Sequence, residues 1–306
     1  MPIASLVVSA QDAAATLGET LRSLLVQTES DLEVIVVDDG SQDRTAAVAR
    51  STGDRRVRLI QQPRRGRAGA RNAGIAAARG EIIGFCDAGD LWRPGKLAAH
   101  LRHLDAAPRT GLSLSGTAVL GAETAARLPR AGRVRPPRLL SLDAALLRPA
   151  AMIRREALAA ISWRPPGECL RDWWFDEAAG AFADTECWLR LLLATDWEAA
   201  MIPDCLALHR PVPAEDGLQA SGWTRVRDSL HGLAPRHAAR HDADARAWQL
   251  RHRAQAALAA GDARKARARL GESLAASPRP LLQDPAGTLT TIAASLAART
   301  GTRPAS

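Results

Sequence analysis

The chain has no tyrosine, only three phenylalanines, and two lysines, Lys96 and Lys265, among 306 residues. Four cysteines, Cys86, Cys169, Cys187 and Cys205, form no CxxC pair and no close Cys/His cluster. That argues against a zinc centre and for buried free thiols in a reducing compartment. No apolar run reaches the roughly 18–20 residues needed to cross a bilayer. The opening MPIASLVVSA is too short and lacks the basic flank of a signal peptide. The expected location is therefore cytoplasmic. No GxGxxG follows the first apolar run, which sets aside a Rossmann dehydrogenase, and no GxxxxGK[ST] occurs, which sets aside a P-loop enzyme.

What is present describes a folded protein with room for two domains. Apolar residues make up 46% and charged residues 24%, with a formal charge of +8. Arginine supplies nearly all of the positive charge. Together with abundant alanine, this fits a GC-rich genome's codon bias. It also fits a phosphate-bearing partner, since a guanidinium grips phosphate bidentately. Nucleotide, nucleic acid and an anionic membrane surface all belong to that class. The basic residues are spread along the chain without a nucleic-acid-binding motif, so nucleic acid is not expected as a partner.

Hydrophobic patterning gives an alternating β-α order. IASLVVSA (3–10), LEVIVVDDG (32–40), VRLIQQ (57–62) and EIIGFCD (81–87) read as buried strands. Between them, 14–28, 41–53 and 67–80 read as helices, with Ser41 as N-cap of the second and Gly80 ending the third. This predicts an α/β fold with a mostly parallel sheet flanked by helices. In such sheets ligands bind beyond the carboxyl ends of the strands. Those ends here deliver Ser9–Asp12, Asp38–Asp39 and Asp87–Asp90 to one rim. Residues 105–150 read as loops with a strand or two. PAAMIRREALAAI (149–161) reads as a strand entering a helix, and AFADTECWLRLLLAT (181–195) as an amphipathic helix. From about 216 two alanine-rich helices break at Gly261–Asp262, as in a single tetratricopeptide-like hairpin. The expected divisions are 1–215, split at 104/105, a hairpin extension over 216–280, and a weakly structured tail over 281–306.

VVDDGSQD, ARNAG and DAGDLWRPGKL, in this order, closely resemble the family 2 glycosyltransferases of the GT-A fold. The resemblance runs through 3–104 and resumes at AAMIRREAL and FADTECWLRLLL. It implies inverting transfer of a sugar from a nucleotide diphosphate sugar to an acceptor hydroxyl, in cell-envelope or surface polysaccharide synthesis, with Mn²⁺ or Mg²⁺. Carried onto this chain, it places Ser9, Ala10, Asp39, Arg71 and Asp87 on the nucleotide, with Asp39 accepting from the base and Arg71 reaching the diphosphate. Asp90, with Asp87, would serve the metal. Asp184 would be the general base, its alternative reading being a helix N-cap beside a Glu186–Arg190 surface pair. Trp173, Trp174, Asp176 and Glu177 would line the acceptor side, and Arg210, in His209–Arg210, the diphosphate. The acceptor would be a saccharide or a lipid-linked sugar, with the basic hairpin available for peripheral contact at the inner face of the membrane.

Three positions depart from the family pattern. Gly89 replaces an acid, Ala183 replaces the first acid of a Glu-Asp pair, and Ser9–Asp12 lacks the usual tyrosine. These motivate an alternative: a degenerate GT-A domain that binds a nucleotide or protein partner without turnover.

Overall fold

The computed structural model describes residues 1–121, 130–136, 150–169, 171–210, 220–233, 235–259 and 261–297. Parts of the expected irregular segment (122–129 and 137–149), the expected boundary near 215–216 and the end of the tail (298–306) lie outside the described residues.

The first half follows the patterning. Strands β1 (Ala4–Ala10), β2 (Leu32–Asp39), β3 (Val57–Gln62) and β4 (Ile82–Asp87) alternate with helices α1 (Leu17–Leu25), α2 (Thr45–Ser51) and α3 (Gly66–Ala77). They pair in the order β3-β2-β1-β4, all parallel. The period of two along β1 divides the core. Val7 joins one buried layer with Ile35, Phe85, Phe175 and Trp188. Leu6 and Val8 join the other with Leu17, Leu21, Leu24 and Leu97. Both faces are covered, so these strands are apolar on both sides. Each such side chain contributes about 1.5–3 kcal/mol on burial.

The second half is mixed rather than parallel. It comprises β5 (Leu91–Trp92), α4 (Lys96–Ala106), β6 (Thr110–Val119), β7 (Gly132–Val134), β8 (Met152–Arg154), α5 (Arg155–Ala159), a 3₁₀ turn (Glu177–Phe182), α6 (Ala183–Ala194) and β9 (Glu198–His209). β8 runs antiparallel between β4 and β6, and β9 runs parallel to β6 but antiparallel to β5 and β7.

Two local expectations are corrected. Ser41 is not the N-cap of α2, which starts at Thr45 without a side-chain cap; the Ser41 hydroxyl instead accepts from the Asp12 amide at 2.9 Å. Gly80 does not end α3, which stops at Ala77. It is a close approach, where a Cβ would stand 2.5 Å from the Ala4 carbonyl carbon.

Helices α7 (Ala220–Leu233), α8 (Pro235–Ala259), α9 (Ala263–Ala276), α10 (Arg279–Gln283) and α11 (Pro285–Ala297) are the last elements among the described residues. α8 and α9 break around Gly261–Asp262, where Asp262 caps α9 by accepting from the Lys265 amide. α7 packs on the main domain, with Val226 in the larger core layer and Gly222 against Ala179. The weakly patterned tail carries α10 and α11. The alanine, threonine and serine of α11 give little periodic signal, and packing against α8 and α9 decides the outcome.

Lys96, at the start of α4, is fully buried. Its Nζ lies 2.8 Å from His100 Nε2, donates to the Ala150 carbonyl at 3.1 Å and stands 4.6 Å from the Trp92 ring centroid. No carboxylate ion-pairs with it among the described residues, and burial pushes its pKa down to about 7. The unfolded chain holds that proton up to about pH 10.4. The folded chain binds fewer protons above pH 7, so stability increases as pH rises. Denaturant unfolding should show this gain between pH 7 and 8.5, and Lys96→Met should flatten it.

Candidate active site

The parallel strands end together, and their last residues build the site. Ser9 and Asp87 are register partners on β1 and β4, and the Ser9 hydroxyl donates to Asp87 Oδ1 at 2.7 Å. Ala10 beside it is buried. Asp39, at the end of β2, turns onto the start of α3. Its Oδ1 accepts from the Arg65 amide at 2.8 Å and Gln62 Nε2 at 2.7 Å, and its Oδ2 from the Gly66 amide at 2.7 Å. The carboxylate thus satisfies backbone donors at a helix N-terminus.

α3 delivers the central cation. Arg71 is 1% exposed, well below the rim expected of a diphosphate contact. One Nη donates to Asp184 Oδ1 and the other to Asp87 Oδ1 at 3.2 Å. Phe85 and Phe175 cover the guanidinium, their centroids 5.5 and 5.4 Å away. Burial opposes the charge, but Asp184 and Asp87 outweigh it and hold the Arg71 pKa above the ordinary arginine value. Arg67, one turn earlier, reaches Asp87 Oδ2 at 3.0 Å and keeps 38% side-chain exposure. Arg67, rather than Arg71, is the arginine at the rim.

Asp184 sits in the first turn of α6, 3% exposed. It is not the N-cap; Phe182 holds that position and makes no side-chain cap. The Glu186–Arg190 pair is likewise not a surface pair. Glu186 is buried, accepts from Arg190 Nε at 3.0 Å and from the Ser229 hydroxyl of α7 at 2.9 Å, and Arg190 also donates to the Trp174 and Ile161 carbonyls.

Asp90 belongs to the other side of the rim. Gly89, at φ +119°, turns the chain between the two acids, and its amide donates to the Thr20 hydroxyl at 2.8 Å. Asp90 is 2% exposed. Its Oδ1 contacts His209 Nδ1 and accepts from the Arg210 amide, both at 2.9 Å. Its Oδ2 is buried with no hydrogen-bond partner. The Arg210 guanidinium is engaged by the Gly89 carbonyl and Glu19.

A hard divalent cation fits the orphaned Asp90 oxygen, since carboxylate oxygen suits Mg²⁺ and Mn²⁺. Asp87 fits less well, because Ser9, Arg71 and Arg67 already occupy its two oxygens. Among the described residues no group of three or more His, Cys, Asp or Glu could hold a metal alone. Substrate oxygens would have to complete the coordination.

The expected acceptor side is held by Asn72, the residue after Arg71 in ARNAG, which no sequence motif singles out. Its Oδ1 accepts from the Trp174 and Phe175 amides at 3.1 and 2.9 Å, and its Nδ2 donates to the Phe175 carbonyl at 2.9 Å. Only the contiguity of Arg71 and Asn72 could have flagged it. Glu177 pairs with Arg65 at 3.0 Å, and Arg65 stands 5.7 Å from the Trp173 centroid. Asp176 caps the 3₁₀ turn through the Ala178 amide and pairs with Arg225 at 3.3 Å. Trp173 and Trp174 are partly exposed.

The sequence model of glycosyl transferase family 2 matches residues 5–161. The chain belongs to this family. Succinoglycan biosynthesis protein ExoO of Rhizobium meliloti is 44% identical over 108 residues, 35% of this chain and 31% of that protein. The chain matches only about 30% of the length of such relatives. The Staphylococcus aureus TarS 1–349 structure with UDP-GlcNAc superposes with a TM-score of 0.62 at 17% identity, over 100% of this chain and 93% of that one. The Pyrobaculum calidifontis mannosyltransferase PcManGT, with GDP-Man and Mn²⁺, gives 0.56 at 23% identity, over 97% and 86%. Both likenesses establish the GT-A fold.

Removing the guanidinium from this family 2 site should leave the buried Asp184 carboxylate without its cation, while Asp87 keeps its ion pair with Arg67. Arg71→Met should cost about 3–5 kcal/mol in urea denaturation. Arg67→Met, at the exposed rim, should cost under about 1 kcal/mol by the same measurement.

Proposed function

We propose that the chain is an inverting glycosyltransferase that moves a sugar from a nucleotide diphosphate sugar to an acceptor hydroxyl, in cell-envelope or surface polysaccharide synthesis. The observation that carries this reading is the line of contacts Asp87–Arg71–Asp184. It joins the nucleotide-side carboxylate to a second carboxylate on α6 through one buried cation.

On this reading the acceptor hydroxyl meets Asp184, which takes its proton as the oxygen attacks the anomeric carbon from the face opposite the diphosphate. The new carbon–oxygen bond forms as the bond to the diphosphate breaks, and its electrons leave with the nucleotide. Arg71 fixes the direction in which the Asp184 carboxylate presents its oxygens. Arg67 meets the diphosphate at the rim. Asp90, through its unpartnered Oδ2, would hold Mn²⁺ or Mg²⁺, and an ion bound there would supply positive charge toward the leaving diphosphate. Asn72 holds the Trp173–Glu177 stretch where a saccharide or lipid-linked acceptor would enter, with the Trp173 ring available for stacking.

Asp39 bears on the base. Three protein donors fill both acceptor sites of Oδ1 and one of Oδ2, leaving one. A base edge with a single N–H, as in uracil or thymine, suits that vacancy better than guanine, whose adjacent donors call for both oxygens.

Calorimetry with UDP, dTDP and GDP, with and without Mn²⁺, tests the reading. A uridine or thymidine diphosphate should bind in a metal-dependent manner, and Asp90→Asn should abolish the metal dependence. Asp184→Asn should keep nucleotide binding while transfer falls by about 10²–10⁴-fold. Nucleotide binding by the wild type with no turnover on any sugar donor, or failure to bind any nucleotide, would overturn the transferase reading and favour the degenerate domain.

A further inference from the structure

Helix α11 packs Ile292 against the α8–α9 apolar cluster but otherwise turns hydroxyls inward and leucines outward. Its sequence, PAGTLTTIAASLA, carries no charged residue. The hydroxyl residues Thr288, Thr291 and Ser295 face inward at 1%, 4% and 1% exposure. Their hydroxyls are satisfied within the helical unit: Thr288 donates to the Pro280 carbonyl, Thr291 to Gly287 and Ser295 to Ile292, while Gln255 donates to Thr291. The leucines face outward: Leu289 is 55% exposed, Leu296 51%, and Leu282 on neighbouring α10 71%. Leu289 and Leu296 are seven residues apart, two turns along one side of the helix. A helix whose outer side faced only water would have the reverse arrangement.

Charge says what covers this face. Residues 235–297 hold ten arginine and lysine residues against five aspartates and glutamates. Arg264 and Lys265 are exposed at the start of α9, which packs beside α11, and the Arg279 side chain just before Leu282 is 53% exposed. A second copy would bring the same positive excess against itself, and like charge disfavours that contact. An aliphatic face without aromatics also lacks the usual anchors of a protein interface. Exposed leucines on an uncharged helix, in a helical unit of net positive charge, match an anionic lipid surface.

We propose that α10 and α11 form a docking surface for an anionic bilayer, with Leu282, Leu289 and Leu296 entering the boundary between headgroups and acyl chains and the α9 cations on the headgroup phosphates. The proposal does not depend on the donor or the acceptor.

Flotation of the full chain with vesicles tests it, using phosphatidylcholine alone or mixed with phosphatidylglycerol. The chain should float with the anionic vesicles and not with the neutral ones. Leu282→Gln/Leu289→Gln/Leu296→Gln should lower the bound fraction about tenfold, because the apolar area is lost. Arg264→Glu/Lys265→Glu should lower it as well, and high salt should mimic that change. All of these side chains are on the surface, so circular dichroism should show both variants folded. Absence of binding to anionic vesicles, or equal binding by the leucine variant, would overturn the proposal. So would a dimer in light scattering that the leucine variant converts to monomer without any vesicle binding, which would assign the face to a second copy.

Discussion

The site depends on one buried cation. Arg71 enters a place that water does not reach, between two carboxylates from different halves of the chain. An isolated charge there would be prohibitively costly, and so would the buried Asp184 carboxylate without it. Arg71 and Asp184 are therefore acceptable only together, while Asp87, partly exposed at the rim, keeps Ser9 and Arg67 as further partners. The rings of Phe85 and Phe175 lie against the guanidinium and contribute their electron-rich faces. Because Asp87 ends β4 and Asp184 begins α6, the ion triad also fixes the distance between the parallel half and the mixed half. A charge requirement thereby becomes a geometric one.

A second tie joins the halves on the opposite side of the rim. The end of β9 presents His209 and the Arg210 amide to the same oxygen of Asp90. The other oxygen is left without a protein donor in a buried setting. One oxygen of Asp90 thus serves the architecture, and the other has no protein partner. Gly89 makes the arrangement feasible, since its left-handed backbone brings Asp90 around at a conformation where an L side chain would be strained. The glycine that replaces an acid in the family pattern therefore has a local structural role of its own.

The strands of the first half were legible because burial on both faces leaves continuous β-branched runs, and the rim acids because they end such runs. The second half was less legible. β8 and β9 take their direction from distant partners, which no local pattern records. The Glu186–Arg190 spacing reads as an exposed helical pair, yet Ser229 and the Trp174 carbonyl cover it from segments far along the chain. Asn72 looks like any polar helix residue until the loop it holds is placed beside it. In α11 the apolar periodicity was faint, and while Ile292 packs inward, its leucines point opposite to what burial arguments assume. The carboxylates were visible; the partners that decide their duties were not.

Helix α3 carries more than its share of these contacts. Its first turn is fastened to Asp39, its middle holds Arg71 and Asn72, and its entry residue Arg65 reaches Glu177. A single rigid rod of twelve residues therefore touches the end of β2, the α6 carboxylate and the Trp173–Glu177 stretch. A ligand that displaced the rod at one end would shift its contacts at the other. On the proposed reading, occupancy of the nucleotide side and affinity on the acceptor side would be linked quantities, and the linkage is reciprocal by thermodynamic necessity. An order of substrate addition would then follow from the stiffness of one helix.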